Sequence, residues 1–239
     1  MKVSAIIPAA GMGIRMGSNI PKQFLLLDSK PILHHTLAVL DQCSVVDEIV
    51  LVVSEKEIEK AQQQIRGSHP QVTKIIAGGK ERQDSVYNGL QSLDSETDIV
   101  VVHDGVRPFV SANLIRETIE AARIIGAAIT AIPVSDTIKK VNEEGLVERT
   151  VDRSGLWRVQ TPQTFQVSLL KEAFAKAQAD NFYGTDEGSL IEYLGREVKV
   201  VPGSEFNIKI TRSEDLVLGE KIAALVKADR PGTQAESLL

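Results

Sequence analysis

Residues 3–23 read V-S-A-I-I-P-A-A-G-M-G-I-R-M-G-S-N-I-P-K-Q. Val3 to Ile7 is a short apolar run, the pattern of a buried strand, and Pro8 ends it. Ala9, Ala10, Gly11, Met12 and Gly13 follow. Little side chain stands on most of that backbone, so a ligand can approach it closely. Arg15 and Lys22 are the two cations best placed by sequence to reach the loop. A strand, a tight small-residue loop and nearby cations together suggest a phosphate cradle. An ordinary turn after the first strand would account for the glycines alone; the cations weigh against it.

Two familiar cradles do not fit. The dinucleotide fingerprint G-x-G-x-x-G is met by Gly11 and Gly13, but Met16 stands at the third position and Gly17 comes one residue late. No window supplies the P-loop pattern G-x-x-x-x-G-K-[ST].

Working outward, strands and helices alternate, which predicts an α/β fold with a mainly parallel sheet and helices on both faces. Pro31 suits the first turn of a helix running to Leu40. His34 and His35 inside it point to different sides and so do not serve one metal together. Glu48 to Val53 reads as a strand, with Ser54 and Glu57 at capping-box spacing before a helix to Ile65. Val72 to Ala77 is the third strand. It delivers G-G-K-E-R-Q-D-S at 78–85 and a helix to Leu93, a second glycine pair at a helix start where anions bind. A solvated surface turn is the plainer account of Lys80 and Glu81.

Asp98 to Val102 is the fourth strand, and Ile99 to Val102 is continuously apolar, as in a central strand covered on both faces. Asp104 follows its C-terminal end, where such sheets bind ligands. Its single carboxylate suits Mg²⁺ held otherwise by water and phosphate; capping a turn before Gly105 is the alternative. Arg107 would pair with Asp104 or face a phosphate. Ser111 caps a helix that Gly126 ends, and Ala127 to Ile132 is the fifth strand.

There the alternation breaks. Thr137 to Val141, N-E-E-G at 142–145, and Leu146 to Val151 read as a hairpin with Gly145 at positive φ. An isolated hairpin is only marginally stable in water, so residues 135–155 are expected to form an arm packed on a second subunit or folded back on its own domain. Residues 1–134 and 156–228 would then form one domain, and the polar residues 229–239 a frayed tail. A helix at 168–179 comes next, and Thr185 is expected to cap another, with Asp186 and Glu187 as first-turn acids. A strand at 197–201 follows. F-N-I-K-I-T-R at 206–212 reads as a short strand carrying Lys209, and Thr211 and Glu214 as the capping box of the last helix.

The chain has 239 residues, 43% hydrophobic and 25% charged, ample for one large α/β domain. A net charge of −5 argues against nucleic acid or an anionic membrane as a general partner. Any phosphate site must therefore be locally basic. A single cysteine, Cys43, excludes an intramolecular disulfide and reads as a core residue. No apolar run reaches membrane-spanning length, and the N-terminus enters a strand with no basic flank, so a cytoplasmic protein is expected.

P-A-A-G-M-G-I-R-M, P-K-Q, G-G-K-E-R-Q-D-S-V, V-H-D-G-V-R-P, P-V-S-D-T-I-K, T-V-D-R-S-G-L-W, T-P-Q-T-F, T-D-E and N-I-K-I-T occur in this order. The ordered set resembles the 2-C-methyl-D-erythritol 4-phosphate cytidylyltransferase family of the nucleotidyltransferase superfamily. The resemblance implies a Rossmann-like three-layer fold and CMP transfer from CTP, with Mg²⁺, in a homodimer built through the arm. It implies that Pro8 to Gly13, Gly79 and Ser85 bind the nucleotide. By the same likeness Arg15 and Lys22 meet the triphosphate, Asp104 holds the magnesium, and Lys209 orients the reacting phosphates. Thr137 and Arg153 match arm residues reaching the sugar phosphate in the other subunit, and Arg107 and Thr185 match positions near that substrate. Lys80 stands where some members carry Asp, which leaves a base or ribose contact there open.

A sister cytidylyltransferase acting on ribitol 5-phosphate shares the fold and chemistry. T-V-D-R-S-G-L-W and T-P-Q-T-F together favour methylerythritol phosphate. A nucleotide sensor without turnover would not need Arg15, Lys22, Asp104 and Lys209 together. The failed glycine fingerprint disfavours a dinucleotide-dependent oxidoreductase.

Overall fold

The computed structural model describes residues 1–11, 21–65 and 67–228. Met12, Gly13, Arg15 and the tail at 229–239 lie outside the described residues.

Seven strands form the central sheet in the order β11-β7-β10-β6-β1-β4-β5. β1 (Lys2–Pro8) lies between β6 (Thr97–Val102) and β4 (Glu48–Val53), parallel to both. β5 (Val72–Ala77) extends the sheet beyond β4, and β7 (Ala127–Pro133) pairs in parallel with β11 (Lys199–Pro202). β10 (Trp157–Gln166) joins the two sets and is antiparallel to both β6 and β7. Between β2 (Leu26–Leu27) and β3 (Lys30–Pro31) runs a small hairpin that leads into α1 (Ile32–Asp41).

Burial on both faces accounts for the apolar runs of β1, β4 and β6. Val3, Ala5 and Ile7 of β1, with Ile99 and Val101 of β6, pack on one face against α1, α2 (Ile58–Ile65) and α4 (Ala112–Ile125). Ile6, Val100 and Val102 face the other side, against α3 (Arg82–Ser92), α5 (Val167–Ala179) and α6 (Glu187–Tyr193). Period-two alternation within an all-apolar run is what a two-sided core demands. Cys43 is buried in the first of these layers.

Some local expectations hold to the residue. Ser111 Oγ accepts the Leu114 N–H, and Gly126 ends α4 at φ 101°. Others need correction. Pro31 precedes α1 as its cap residue rather than entering the first turn. Ser54 makes no side-chain cap; a 3-10 turn at Glu55–Glu57 comes first and α2 starts at Ile58. Asp186, not Thr185, caps α6, its Oδ1 accepting the Ser189 N–H at 2.9 Å. Before α7 (Ser213–Ala228), Asp215 rather than Glu214 takes the capping bonds, accepting from Thr211 N at 2.8 Å and Arg212 N at 2.9 Å. Residues 206–212 are not a strand. A backbone bond from Ile210 N to Val106 O, 2.9 Å, moors that irregular segment above the end of β6.

Among the described residues β8 (Ile138–Val141) and β9 (Val147–Val151) pair only with each other, and Gly145 turns between them at φ 80°. Val141, Leu146 and Val147 stand exposed on this hairpin. His34 and His35 take different partners: His34 Nδ1 lies 3.0 Å from His69 Nε2, and His35 Nε2 lies 2.7 Å from the Leu27 carbonyl. No helix among the described residues is long and apolar enough to cross a membrane.

Candidate active site

From β1 the chain builds outward to β4 and β5, then crosses back to place β6 on the other side of β1. Such a switch point opens a crevice beyond the carboxyl ends of the two diverging strands. A cleft of about 200 Å³ lies there. Pro8, Ala9, Ala10 and Gly11 form one wall, Gly79 and Ser85 another, and Lys22, Asp104 and Lys209 complete it.

The loop after β1 is held by backbone and amide bonds. Ala9 N donates to Val52 O at 2.7 Å, and Gln23 Nε2 donates to Ala9 O at 2.6 Å. Gly78 requires its missing side chain: a Cβ there would lie 2.6 Å from Ala10 Cβ and 2.8 Å from Ser85 Oγ. The second glycine pair thus lets the start of α3 close onto the first loop. Gly79 N donates to Ser85 Oγ at 3.1 Å, and Glu81 N donates to Asp84 Oδ2 at 2.9 Å.

Asp104 is the electrostatic centre. Its carboxylate is 2.9 Å from Lys209 Nζ, 3.2 Å from Arg82 Nε and 3.5 Å from Arg107 Nε. Burial alone would raise its pKa, but Arg82, Lys209 and Arg107 outweigh burial and hold the carboxyl well below the usual range. Arg82 also donates through Nη1 to both Glu187 oxygens, at 2.7 and 2.8 Å. Burial works against the Arg82 charge, but Glu187 and Asp104 exceed it and keep the guanidinium above its ordinary value. The cluster holds three cations against two carboxylates, so the site is locally basic within an acidic chain.

Among the described residues no group of three His, Cys, Asp or Glu side chains could hold a metal. One carboxylate at the cleft does fit a Mg²⁺ ion whose other ligands are substrate phosphates and water.

Not every residue picked out by sequence reaches this cleft. Arg107 is buried beneath Asp104, where its Nη1 donates to the Asn207 carbonyl at 2.7 Å. Thr185 is exposed ahead of α6, outside the lining. Thr137 precedes β8, and Arg153 follows β9, its guanidinium donating to the Ser135 carbonyl. Both stand exposed at the base of the β8–β9 hairpin. Glu187 stands in the first turn of α6 as expected, but it is 1% exposed and ion-paired with Arg82, which capping and the helix dipole alone do not account for. Arg82, Gln23 and Val106 line the cleft although no sequence argument assigned them a part.

His103 supports Asp104 from behind. His103 Nε2 bonds the Arg107 carbonyl at 3.1 Å, which makes Nδ1 the acceptor of the Thr161 hydroxyl at 3.0 Å. Thr161 Oγ1 in turn accepts the Asp104 N–H at 3.1 Å. Burial lowers the His103 pKa to about 4 from an ordinary 6.5. The unfolded chain therefore takes up the proton first, and stability falls as pH drops below 6.5 until the folded value is passed. The loss should reach about 3 kcal/mol. Urea unfolding at pH 7, 5.5 and 4 would measure it. His103→Gln, which keeps one donor and one acceptor, should flatten the dependence.

The sequence profile described as 2-C-methyl-D-erythritol 4-phosphate cytidylyltransferase matches residues 3–224. The protein of that name from Syntrophus aciditrophicus is 49% identical over 222 residues, 92% of this chain and 94% of its own. Its counterpart in Geotalea uraniireducens is 46% identical over 234 residues, covering 96% of this chain and all of its own. The crystal structure of the Thermus thermophilus enzyme superposes with a TM-score of 0.79 at 34% identity, covering 94% of this chain and 100% of that one.

Proposed function

The chain belongs to the 2-C-methyl-D-erythritol 4-phosphate cytidylyltransferase family, and from that premise we propose that it transfers CMP from CTP to 2-C-methyl-D-erythritol 4-phosphate, releasing pyrophosphate. One observation carries the reading to the residues: segments at 8–11, 79–85, 104 and 209, far apart in the chain, line a single basic cleft.

The acceptor phosphate is a monoester with its second pKa near ~6, so it is already a dianionic nucleophile at neutral pH. Its oxygen forms a bond to the α-phosphorus as the bond to the departing pyrophosphate breaks. No proton need be removed to create the nucleophile. The protein's task is to align two anions and offset their charge. Backbone at Pro8 to Gly11 and the start of α3 at Gly79 and Ser85 would receive the triphosphate. Lys22 and Lys209 would neutralise charge on the reacting phosphates, as would Arg15, while Met12 and Gly13 would extend the nucleotide-binding backbone; these last three lie outside the described residues. Asp104 would hold a Mg²⁺ ion, which when bound supplies further charge neutralisation.

We assign the acceptor side to Arg153 and Thr137 of a second subunit, with Arg107 and Thr185 nearby. Two observations support a homodimer, given that such a hairpin is marginal alone: among the described residues the arm pairs only with itself, and it exposes apolar residues. Mixing Lys22→Ala with Arg153→Ala protein should then restore activity that neither variant has, because one site of each mixed dimer regains both residues. Activity that stays absent in a mixture shown to contain mixed dimers would place Arg153 in its own subunit's site. The cytoplasm is the proposed compartment.

Pyrophosphate release with Mg²⁺ tests the reaction, offering CTP, ATP, GTP or UTP with methylerythritol phosphate or ribitol 5-phosphate. Turnover with CTP and methylerythritol phosphate is expected. Preference for ribitol 5-phosphate would keep the chemistry and change the pathway; binding of CTP without release from any pair would favour a sensor.

A further inference from the structure

Arg82 begins α3 and Glu187 begins α6, 105 positions later. Capping does not account for Glu187, since Asp186 already accepts the Ser189 N–H. Nor is Glu187 needed to tie the two helix starts together. Gln83 Nε2 donates to Phe182 O at 3.1 Å, Gly184 N donates to Gln83 Oε1 at 2.9 Å, and Tyr183 OH donates to Asp84 Oδ1 at 3.0 Å. Stability does not explain the pair either. Burying a carboxylate carries a desolvation cost, and well-packed apolar replacements of such pairs are often as stable.

What Glu187 does is hold one guanidinium in place. Both of its oxygens take Arg82 Nη1, which leaves Nε on Asp104 Oδ1. Nη2 has no hydrogen-bond partner among the described residues, and Arg82 lines the cleft with 29% of its side chain exposed. We propose that Glu187 is a positioning residue for the transfer reaction: it anchors Arg82 so that Nε orients the Asp104 carboxylate and Nη2 is presented to a phosphate oxygen in the cleft. When Asp104 turns to a ligand, Glu187 keeps the guanidinium from following it. The proposal rests on the cytidylyltransferase reading of the cleft.

Four proteins test it: wild type, Glu187→Gln, Arg82→Gln and the double variant, each assayed for pyrophosphate release, CTP affinity by equilibrium dialysis, and melting. Glu187→Gln is expected to lower kcat about 10-fold to 100-fold well below its melting temperature, as misplacing a reacting-site group does. In the Arg82→Gln background the same change should cost nothing further, because Glu187 acts only through Arg82. Equal losses in both backgrounds would overturn the proposal. So would a lowered melting temperature with unchanged kcat, the mark of a structural role alone. Should Arg82→Gln fail to fold, Arg82→Lys replaces it; Lys has no fork to aim, and the same comparison applies. Absence of turnover in wild type would overturn the reaction assignment instead. The coupling is then read in the four CTP affinities, where additive changes would refute it.

Discussion

Lys22→Ala is expected to reduce kcat by about 100-fold to 1,000-fold, the loss typical of removing one group that neutralises developing charge, while the melting temperature stays near that of wild type. Lys22 opens a 3-10 turn, Lys22–Phe24, and its side chain lines the cleft. The turn is closed by backbone bonds, Phe24 N to Pro21 O at 2.9 Å and Leu25 N to Lys22 O at 3.1 Å, which the substitution leaves intact. Gln23 and Phe24, buried next to it, anchor the segment independently. Stopped-time pyrophosphate assays and a melting curve on one preparation would check both halves. Near-normal turnover would remove Lys22 from the mechanism.

Asp104→Asn should have the largest combined effect. The carboxylate is 5% exposed and faces Arg82, Arg107 and Lys209. Replacing it with a neutral amide leaves Arg107 buried without a counter-charge, whereas Arg82 retains Glu187. Removing one partner of a buried ion pair costs about 3–5 kcal/mol, on the order of 10 °C in melting temperature for a chain of this size. On the proposed role of Asp104 in holding Mg²⁺, turnover should fall at least about 100-fold even where the variant is fully folded. An inactive variant that melts like wild type would mean that the three cations are balanced without Asp104 and that its carboxylate serves only the reaction.

Much of this architecture was legible because each signal was local. The apolar run of β6 is continuous because both faces are covered, with Val101 in one layer and Val100 in the other. Ser111 and Gly126 bracket α4 by side-chain and backbone chemistry that a few residues express. β10 was not legible. Q-T-P-Q-T at 160–164 is polar and carries a proline, features that argue against a central strand. It becomes one because each polar group finds a distant partner: Gln160 reaches the Ser204 carbonyl, Gln163 reaches Asp186, and Thr164 reaches Thr118. The ladder to β7 shifts register between Gln160 and Gln163, around Pro162, where no donor is available. Residues 206–212 are the converse case: their alternating pattern mimics a strand that does not form. That segment lies beyond the sheet, with Asn207 Nδ2 donating to the Thr161 carbonyl at 2.8 Å.

Sequence alone carried the alternation of strands and helices, the small-residue stretch after β1, the placement of Asp104 after a central strand, and the β8–β9 hairpin. Each depends on periodicity, backbone freedom or turn chemistry within about a dozen residues. Folding in three dimensions was needed for Arg82 to bridge Asp104 and Glu187, for Arg107 to lie beneath the cleft rather than in it, and for His103 and Thr161 to fix the Asp104 backbone. Those pairings join residues on separate elements, and a charge's partner is set by where the folded sheet brings it rather than by its neighbours along the chain.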